Sequence, residues 1–178
     1  MKIFYIVLSS ILYPVFIIII FIRKLMGKED TKRYKEKIFS SSLKKITIKK
    51  EKLIWIHAAS IGEVLSIIPL IEKLNKEKDN LNFLITTVTK SSAELLENEY
   101  SHLKNLHHRY FPLDNYFLVK KFLKYWSPNL VIFVDSEIWP NFLFEIKKNN
   151  IPLVLVNARI TDKTFKKWKI VPNFSKQI

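Results

Sequence analysis

The sequence predicts an α/β fold, a parallel sheet covered on both faces by helices, preceded by a single transmembrane helix. Three observations predict it. Twenty residues, Ile3 through Ile22, carry no charge. Beyond Lys52, short apolar runs alternate with longer amphipathic ones, the pattern of parallel strands joined by crossover helices. The unusual polar residues then fall at the ends of four of those apolar runs rather than being scattered along the chain.

The uncharged segment comes first. At 1.5 Å per residue it covers about 30 Å, the thickness of a bilayer's hydrocarbon. A cleaved signal peptide has a shorter apolar region and a small-residue cleavage site, whereas this segment runs through Phe16 to Ile22 straight into Arg23-Lys24. An uncleaved membrane anchor over residues 1–26 is therefore expected. Pro14 lies in its middle, and a kinked, partly embedded helix is the alternative. Arg23, Lys24, Lys28, Lys32, Arg33, Lys35 and Lys37 follow the segment and only Lys2 precedes it, so the positive-inside rule places the rest of the chain in the cytoplasm. Residues 27–52 read as a juxtamembrane helix plus basic linker, solvated or lying against anionic membrane lipids.

The remaining residues, 53–178, make one domain. Leu53–Ala58 is a strand, and Glu63–Lys76 a helix with Val64, Ile67, Ile68, Ile71 and Leu74 on one face. Phe83–Val88 is β-like, and Ser91-Ser92-Ala93-Glu94 reads as a capping box opening a helix that ends near Tyr100. Leu106–Phe111 is a third strand. Asp114 is placed to cap a helix from Asn115 to Trp126, which Ser127-Pro128 ends. Leu130–Val134 is wholly apolar, Pro140 suits the first turn of a helix reaching Lys148, and Pro152–Val156 closes the series.

Composition narrows the chemistry. The chain has no Cys, which removes disulfides, thiolate metal sites and cysteine nucleophiles. Its only glycines, Gly27 and Gly62, cannot supply a G-x-G-x-x-G or a G-x-x-x-x-G-K-[ST] phosphate loop. A net charge of +14 points to an anionic partner: nucleic acid, acidic lipid or a sugar phosphate. No recognition helix, RNP-like aromatic pattern or zinc-finger spacing accompanies the lysines, so nucleic acid is not expected. His102, His107 and His108 lack carboxylates at ligand spacing, and no metal is expected.

Ligands of open α/β sheets bind outside the carboxyl ends of the strands. Here those ends carry His57 to Glu63, Thr86 to Ser91, Asp135 to Asn141 and Asn157 to Arg159, one polar rim contributed by four strands. Glu63 follows Gly62 where the first strand turns into its helix. A carboxylate there is kept ionised by the helix dipole and can take a proton from a substrate hydroxyl, or it can simply decorate the first turn. Gly62 either adopts a backbone conformation closed to other residues or lets a ligand approach the main chain. Glu137, with Asp135 two residues away, can share work with it, bind a metal or hydrogen-bond a sugar, or only accept N–H groups of the turn that follows. Arg159 can clamp a phosphate or pair with Glu137, and Asn157 can cap. Thr86, Thr87 and Thr89 can meet a ligand hydroxyl or cap the next helix. His57 can be a base or a side chain packed beneath a loop. Trp126 and Trp139 fit core or interface positions.

Several motifs together carry a resemblance. The runs Trp55-Ile56-His57-Ala58-Ala59-Ser60-Ile61-Gly62-Glu63-Val64, Ile85-Thr86-Thr87-Val88-Thr89, Phe111-Pro112-Leu113-Asp114, Ser136-Glu137-Ile138-Trp139-Pro140-Asn141 and Val156-Asn157-Ala158-Arg159-Ile160-Thr161 occur in that order after an anchor and after Arg33-Tyr34-Lys35-Glu36. The chain thereby resembles the 3-deoxy-D-manno-octulosonic acid (Kdo) transferases of lipopolysaccharide synthesis. That resemblance implies a GT-B glycosyltransferase of two Rossmann-like domains, the N-terminal one holding a lipid A precursor and the C-terminal one CMP-Kdo. It implies inverting transfer without a metal or other cofactor, in the inner membrane of a Gram-negative bacterium. Glu63 matches the family's general base and Glu137 a second functional glutamate. Ser60, Gly62, Thr86, Thr89, Asn157 and Arg159 are expected to bind the acceptor or to support the site. Asp135 stands where the family usually has Glu, Ser92 where Gly is common, and Lys37 and Phe39 where Arg and Gly are usual. The family is about twice as long, so the donor-binding domain is expected to be supplied in the same polypeptide or as a second chain, and a catalytically inactive, membrane-anchored acceptor-binding module is the alternative.

Overall fold

The computed structural model describes residues 2–39, 52–78, 80–135 and 137–158. Helix α1 (Lys2–Leu25) is followed by a single 3-10 turn at Tyr34–Lys37. Then come β1 (Lys52–His57), α2 (Ile61–Glu77), β2 (Leu81–Thr87), α3 (Lys90–Glu99) and β3 (Leu106–Tyr110). The series ends with α4 (Tyr116–Trp126), β4 (Leu130–Val134), α5 (Pro140–Lys148) and β5 (Leu153–Val156). Every strand and helix expected from Leu53 onward within the described residues is present, with ends shifted by at most two residues, whereas of the expected juxtamembrane helix the described residues show only the 3-10 turn.

The five strands pair in parallel in the order β3-β2-β1-β4-β5. Side chains alternate across the sheet, so each central strand feeds two cores. Ile54 and Ile56 of β1 pack with Ile67, Ile68 and Ile71 of α2. Leu53 and Trp55 pack on the other face with Val119 and Phe122 of α4 and Phe142 of α5. Helices thus cover both faces of the sheet. The order is that of a Rossmann-like half, in which the chain winds outward from β1 in one direction and then crosses back to β4. Its switch point therefore lies between β1 and β4.

Local chemistry explains the helix starts, with two corrections. Thr89, not Ser91, caps α3, its hydroxyl accepting the Ser92 N–H at 3.2 Å. Asn115, not Asp114, caps α4, accepting from Phe117 and Leu118 N–H. Asp114 reaches instead to α5, whose N-cap position, Trp139, has no side-chain acceptor. Its two oxygens take the Asn141 and Phe142 N–H groups, each at 3.1 Å.

Helix α1 runs unbroken past Pro14 and is long and apolar enough to cross a membrane. One side of it is docked on the domain. Tyr5 donates to Asp114 Oδ2 at 2.8 Å, Ser9 accepts from Asn141 Nδ2 at 3.1 Å, and Tyr13 donates to the Ile38 carbonyl. Ile17 and Ile20 continue that stripe onto Tyr34, Ile38 and Leu113. These positions recur at three or four residues, one face of a helix. Ile3, Phe4, Val7, Ile11, Val15, Ile18 and Phe21 are exposed on its other sides.

The basic segment after α1 departs from expectation. Arg33 and Lys37 are drawn inward rather than solvated. Lys37 is 5% exposed, paired with Glu29 and donating to the Val88 carbonyl at 2.7 Å. Burial lowers its pKa against the opposing pull of Glu29. Arg33 pairs with Glu36 and Glu97 and donates to the His108 carbonyl, while Glu36 accepts the Tyr110 N–H at 3.0 Å. The segment thus satisfies the outer edge of β3, which is otherwise an open strand edge. Residues 40–51, the rest of the expected linker, lie outside the described residues.

Candidate functional site

Glu63 is positioned by its own sequence. Ser60 accepts the Glu63 N–H at 3.4 Å, while the Glu63 carboxylate accepts the Ser60 hydroxyl and the Ala59 N–H, both at 2.8 Å. This is a reciprocal capping box of the form S-x-x-E, and it sits at 60–63 rather than at 91–94. Gly62 has an ordinary helical backbone, so its expected special conformation is not found. A Cβ added there would meet nothing within 4 Å, so the bare main chain beside Glu63 faces open space.

Glu137 is held by one near neighbour and faces one residue of a distant strand. Trp139 Nε1 donates to its Oε2 at 2.7 Å, and His57 Nε2 lies 3.6 Å from the same oxygen, beyond hydrogen-bond length. His57 leads in holding the Glu137 carboxyl below the ordinary range, Trp139 adds to it, and burial opposes both. The imidazole is completely buried and stacked on Phe111 at 3.8 Å between ring centres. Its Nδ1 faces the Thr86 carbonyl and hydroxyl at 3.0 and 3.1 Å. Nε2 has no hydrogen-bond partner among the described residues.

The other expected residues divide. Thr86 is fully buried, its hydroxyl accepting from Trp55 Nε1 at 2.9 Å, so it supports the rim from beneath. Thr89 is committed to capping α3. Asn157 lies at the end of β5 with φ 58°, and Asp135 at the end of β4 with φ 61°. Both occupy the left-handed region, which Asn and Asp tolerate best among residues with a side chain. Two adjacent strands thus end in turned-back backbone, joined by the Asp135 N–H on the Val156 carbonyl. Arg159 and Ser136 lie outside the described residues. Buried His108 is kept neutral: burial, then the charges of Arg33 and Arg109, push its pKa down to about 3.

Sequence reasoning missed Asp114 as a hub. It ties α1 to α5 through Tyr5, Asn141 and Phe142, and burial raises its carboxyl to about 6 despite those three donors. The tandem Asp114-Asn115 was the available signal, since only one of two adjacent acceptors can cap α4.

The assembled rim brings a carboxylate from the β1–α2 turn and another from the β4–α5 turn to the switch point of a parallel α/β sheet, where such folds bind ligands. It is the layout of a Rossmann-like domain. A family model described as 3-Deoxy-D-manno-octulosonic-acid transferase (kdotransferase) matches residues 32–178, and the chain belongs to that family. A protein of Rickettsia bellii named 3-deoxy-D-manno-octulosonic acid transferase is 40% identical over the whole chain, which covers 43% of its length. One of the same name from Rickettsia typhi is 35% identical over the whole chain, covering 48% of its length. One from Haemophilus influenzae is 34% identical over 62% of the chain and 26% of its own length. The chain thus spans less than half the length of these relatives.

Proposed function

We propose that this chain supplies the acceptor-side half of a GT-B glycosyltransferase that moves Kdo from CMP-Kdo to a lipid A precursor in lipopolysaccharide synthesis. The observation that carries the reading is the pair Glu63 and Glu137 at the β1/β4 switch point, on a domain fastened to an apolar helix. Glu63 acts as general base. An acceptor hydroxyl gives its proton to the Glu63 carboxylate as its oxygen bonds to the anomeric carbon of Kdo. The bond from that carbon to the CMP phosphate breaks, and CMP leaves with the electron pair. The step as written calls on no cofactor.

The capping box suits Glu63 for this work. Two donors orient the carboxylate, and open space beside Gly62 admits the acceptor. Ser60 acts by orienting Glu63, and Glu137 with Asn157 lines the sugar's side of the rim. The CMP-Kdo side belongs to a donor-binding half, on the same polypeptide or on a second chain.

Helix α1 holds this half at the cytoplasmic face of the inner membrane of a Gram-negative bacterium, where the exposed Lys28, Lys32 and Lys35 meet anionic lipid. Its docking along Tyr5, Ser9 and Tyr13 supports an anchor lying partly embedded beside the domain over a helix standing free across the bilayer. The test incubates membranes carrying the chain, with and without a matching C-terminal half, with CMP-Kdo and lipid A precursor. Transfer is expected only with both halves. Acceptor binding with no transfer in either case would leave an anchored binding module in place of an enzyme.

A further inference from the structure

Between α1 and the domain lies a groove of about 270 Å³, walled by Leu8, Leu12 and Phe16 on one side and by Leu113 and Trp139 on the other. Its polar contributors, Tyr5, Ser9, Asp114 and Asn115, are already engaged in the hydrogen bonds that fasten α1 or cap α4 and α5. What it offers an occupant is therefore hydrocarbon. Leu8, Leu12 and Phe16 also remain 38 to 42% exposed, so the groove wall is continuous with the apolar surface that α1 turns to the membrane.

The other wall leads to the site. Trp139 lines the groove and donates its Nε1–H to Glu137, so one residue is shared by an apolar channel and the polar rim. A molecule that filled both would need a polar head at the strand ends and an apolar chain running back along α1. We infer that this groove takes an acyl chain of the glycolipid acceptor, seating its sugar beside Glu137 while the chain stays in continuous contact with hydrocarbon. The inference rests on the acceptor reading above and adds where the lipid portion goes. A phospholipid chain has the same apolar chemistry but no group that belongs at the rim, and it is the competing occupant that the test must separate.

The full chain, solubilised in a non-ionic detergent with bilayer phospholipid, is mixed with lipid A precursor brominated on its acyl chains. Bromine quenches tryptophan emission on contact, and the difference between the parent and Trp139→Phe isolates Trp139. Quenching of the Trp139 component is expected with brominated acceptor. It is expected to be absent when brominated phospholipid is mixed with unlabelled acceptor. The double variant Leu8→Phe/Leu12→Phe, which fills the groove from the helix side, is expected to weaken acceptor retention about tenfold, the equivalent of two methylenes returned to water. Its melting temperature is expected to stay at the parent's value, reporting an intact fold. Acceptor retained without quenching of Trp139, or equal quenching by brominated phospholipid in the presence of acceptor, would overturn the groove while leaving the acceptor reading intact. No acceptor retained by the parent chain would overturn that reading itself.

Discussion

Glu63 and Glu137 stand after neighbouring strands of one sheet and are held in opposite ways. The carboxylate of Glu63 is bound entirely by residues within four positions of it, in a motif that any helix start can form. That of Glu137 depends on Trp139 and on His57, a residue of another strand eighty positions earlier, itself seated on Thr86 and Phe111. A locally determined carboxylate can be replaced without disturbing the fold, whereas one set by tertiary packing carries its environment with it. Function and stability are therefore separable at Glu63 and coupled at Glu137.

The strongest way to break that contrast is Glu63→Gln in an assembly of both halves. Gln serves a capping box as well as Glu does, so the thermal unfolding of the chain should be unchanged within about 0.5 kcal/mol. Transfer from CMP-Kdo should fall by about 10²- to 10⁴-fold, the usual worth of a general base. Full activity in this variant would remove Glu63 from the chemistry and leave it a cap.

Next in size is a pH effect at the α1 attachment. Asp114 is raised to about 6, so between about pH 4 and 6 the folded chain keeps a proton that the unfolded chain has lost. Stability from this group is fully present below about pH 4 and is lost as pH rises, by up to about 3 kcal/mol. Chemical denaturation across that window should show the decline, and Asp114→Asn should flatten it. An unchanged slope in the variant would mean another group titrates there.

Ser60→Ala sharpens the comparison from the local side. Losing the cap should cost about 1 kcal/mol in urea unfolding. It should also slow transfer, because the Glu63 carboxylate then keeps only the Ala59 N–H. An equal loss of stability with undiminished transfer would deny Ser60 its orienting part.

The smallest effect belongs to Glu137. Its depressed pKa means its contribution is present above the ordinary carboxylate range and fades as pH falls through its folded value, the reverse of Asp114. Titration of the parent against Glu137→Gln should show a shallower acid-side loss than the Asp114 decline. A loss of the same sign as Asp114's would contradict the His57 and Trp139 contacts.

Much of this was legible in the residues. The alternation of apolar runs set the number, type and order of elements, because the periods of strand and helix are local properties. The polar strand ends identified the rim, and Ser60-Ile61-Gly62-Glu63 already spelled the capping box that orients Glu63. Thr89 in place of Ser91, and Asn115 in place of Asp114, were beyond reach for a different reason. Two hydroxyls a residue apart, or a carboxylate next to an amide, are nearly equivalent as caps, and small differences in helix geometry choose between them.

By itself, then, the sequence determined an apolar helix followed by a parallel α/β domain with its polar residues gathered at strand ends. Only the tertiary structure decided that β1 and β4 are neighbours and that Thr86 lies beneath His57. It also turned Arg33 and Lys37 inward and made Asp114 serve a distant helix. The physical reason is that periodicity depends on residues a few positions apart. The partner of a buried polar group depends on which surfaces the sheet order brings together, and leaving one unpartnered costs free energy.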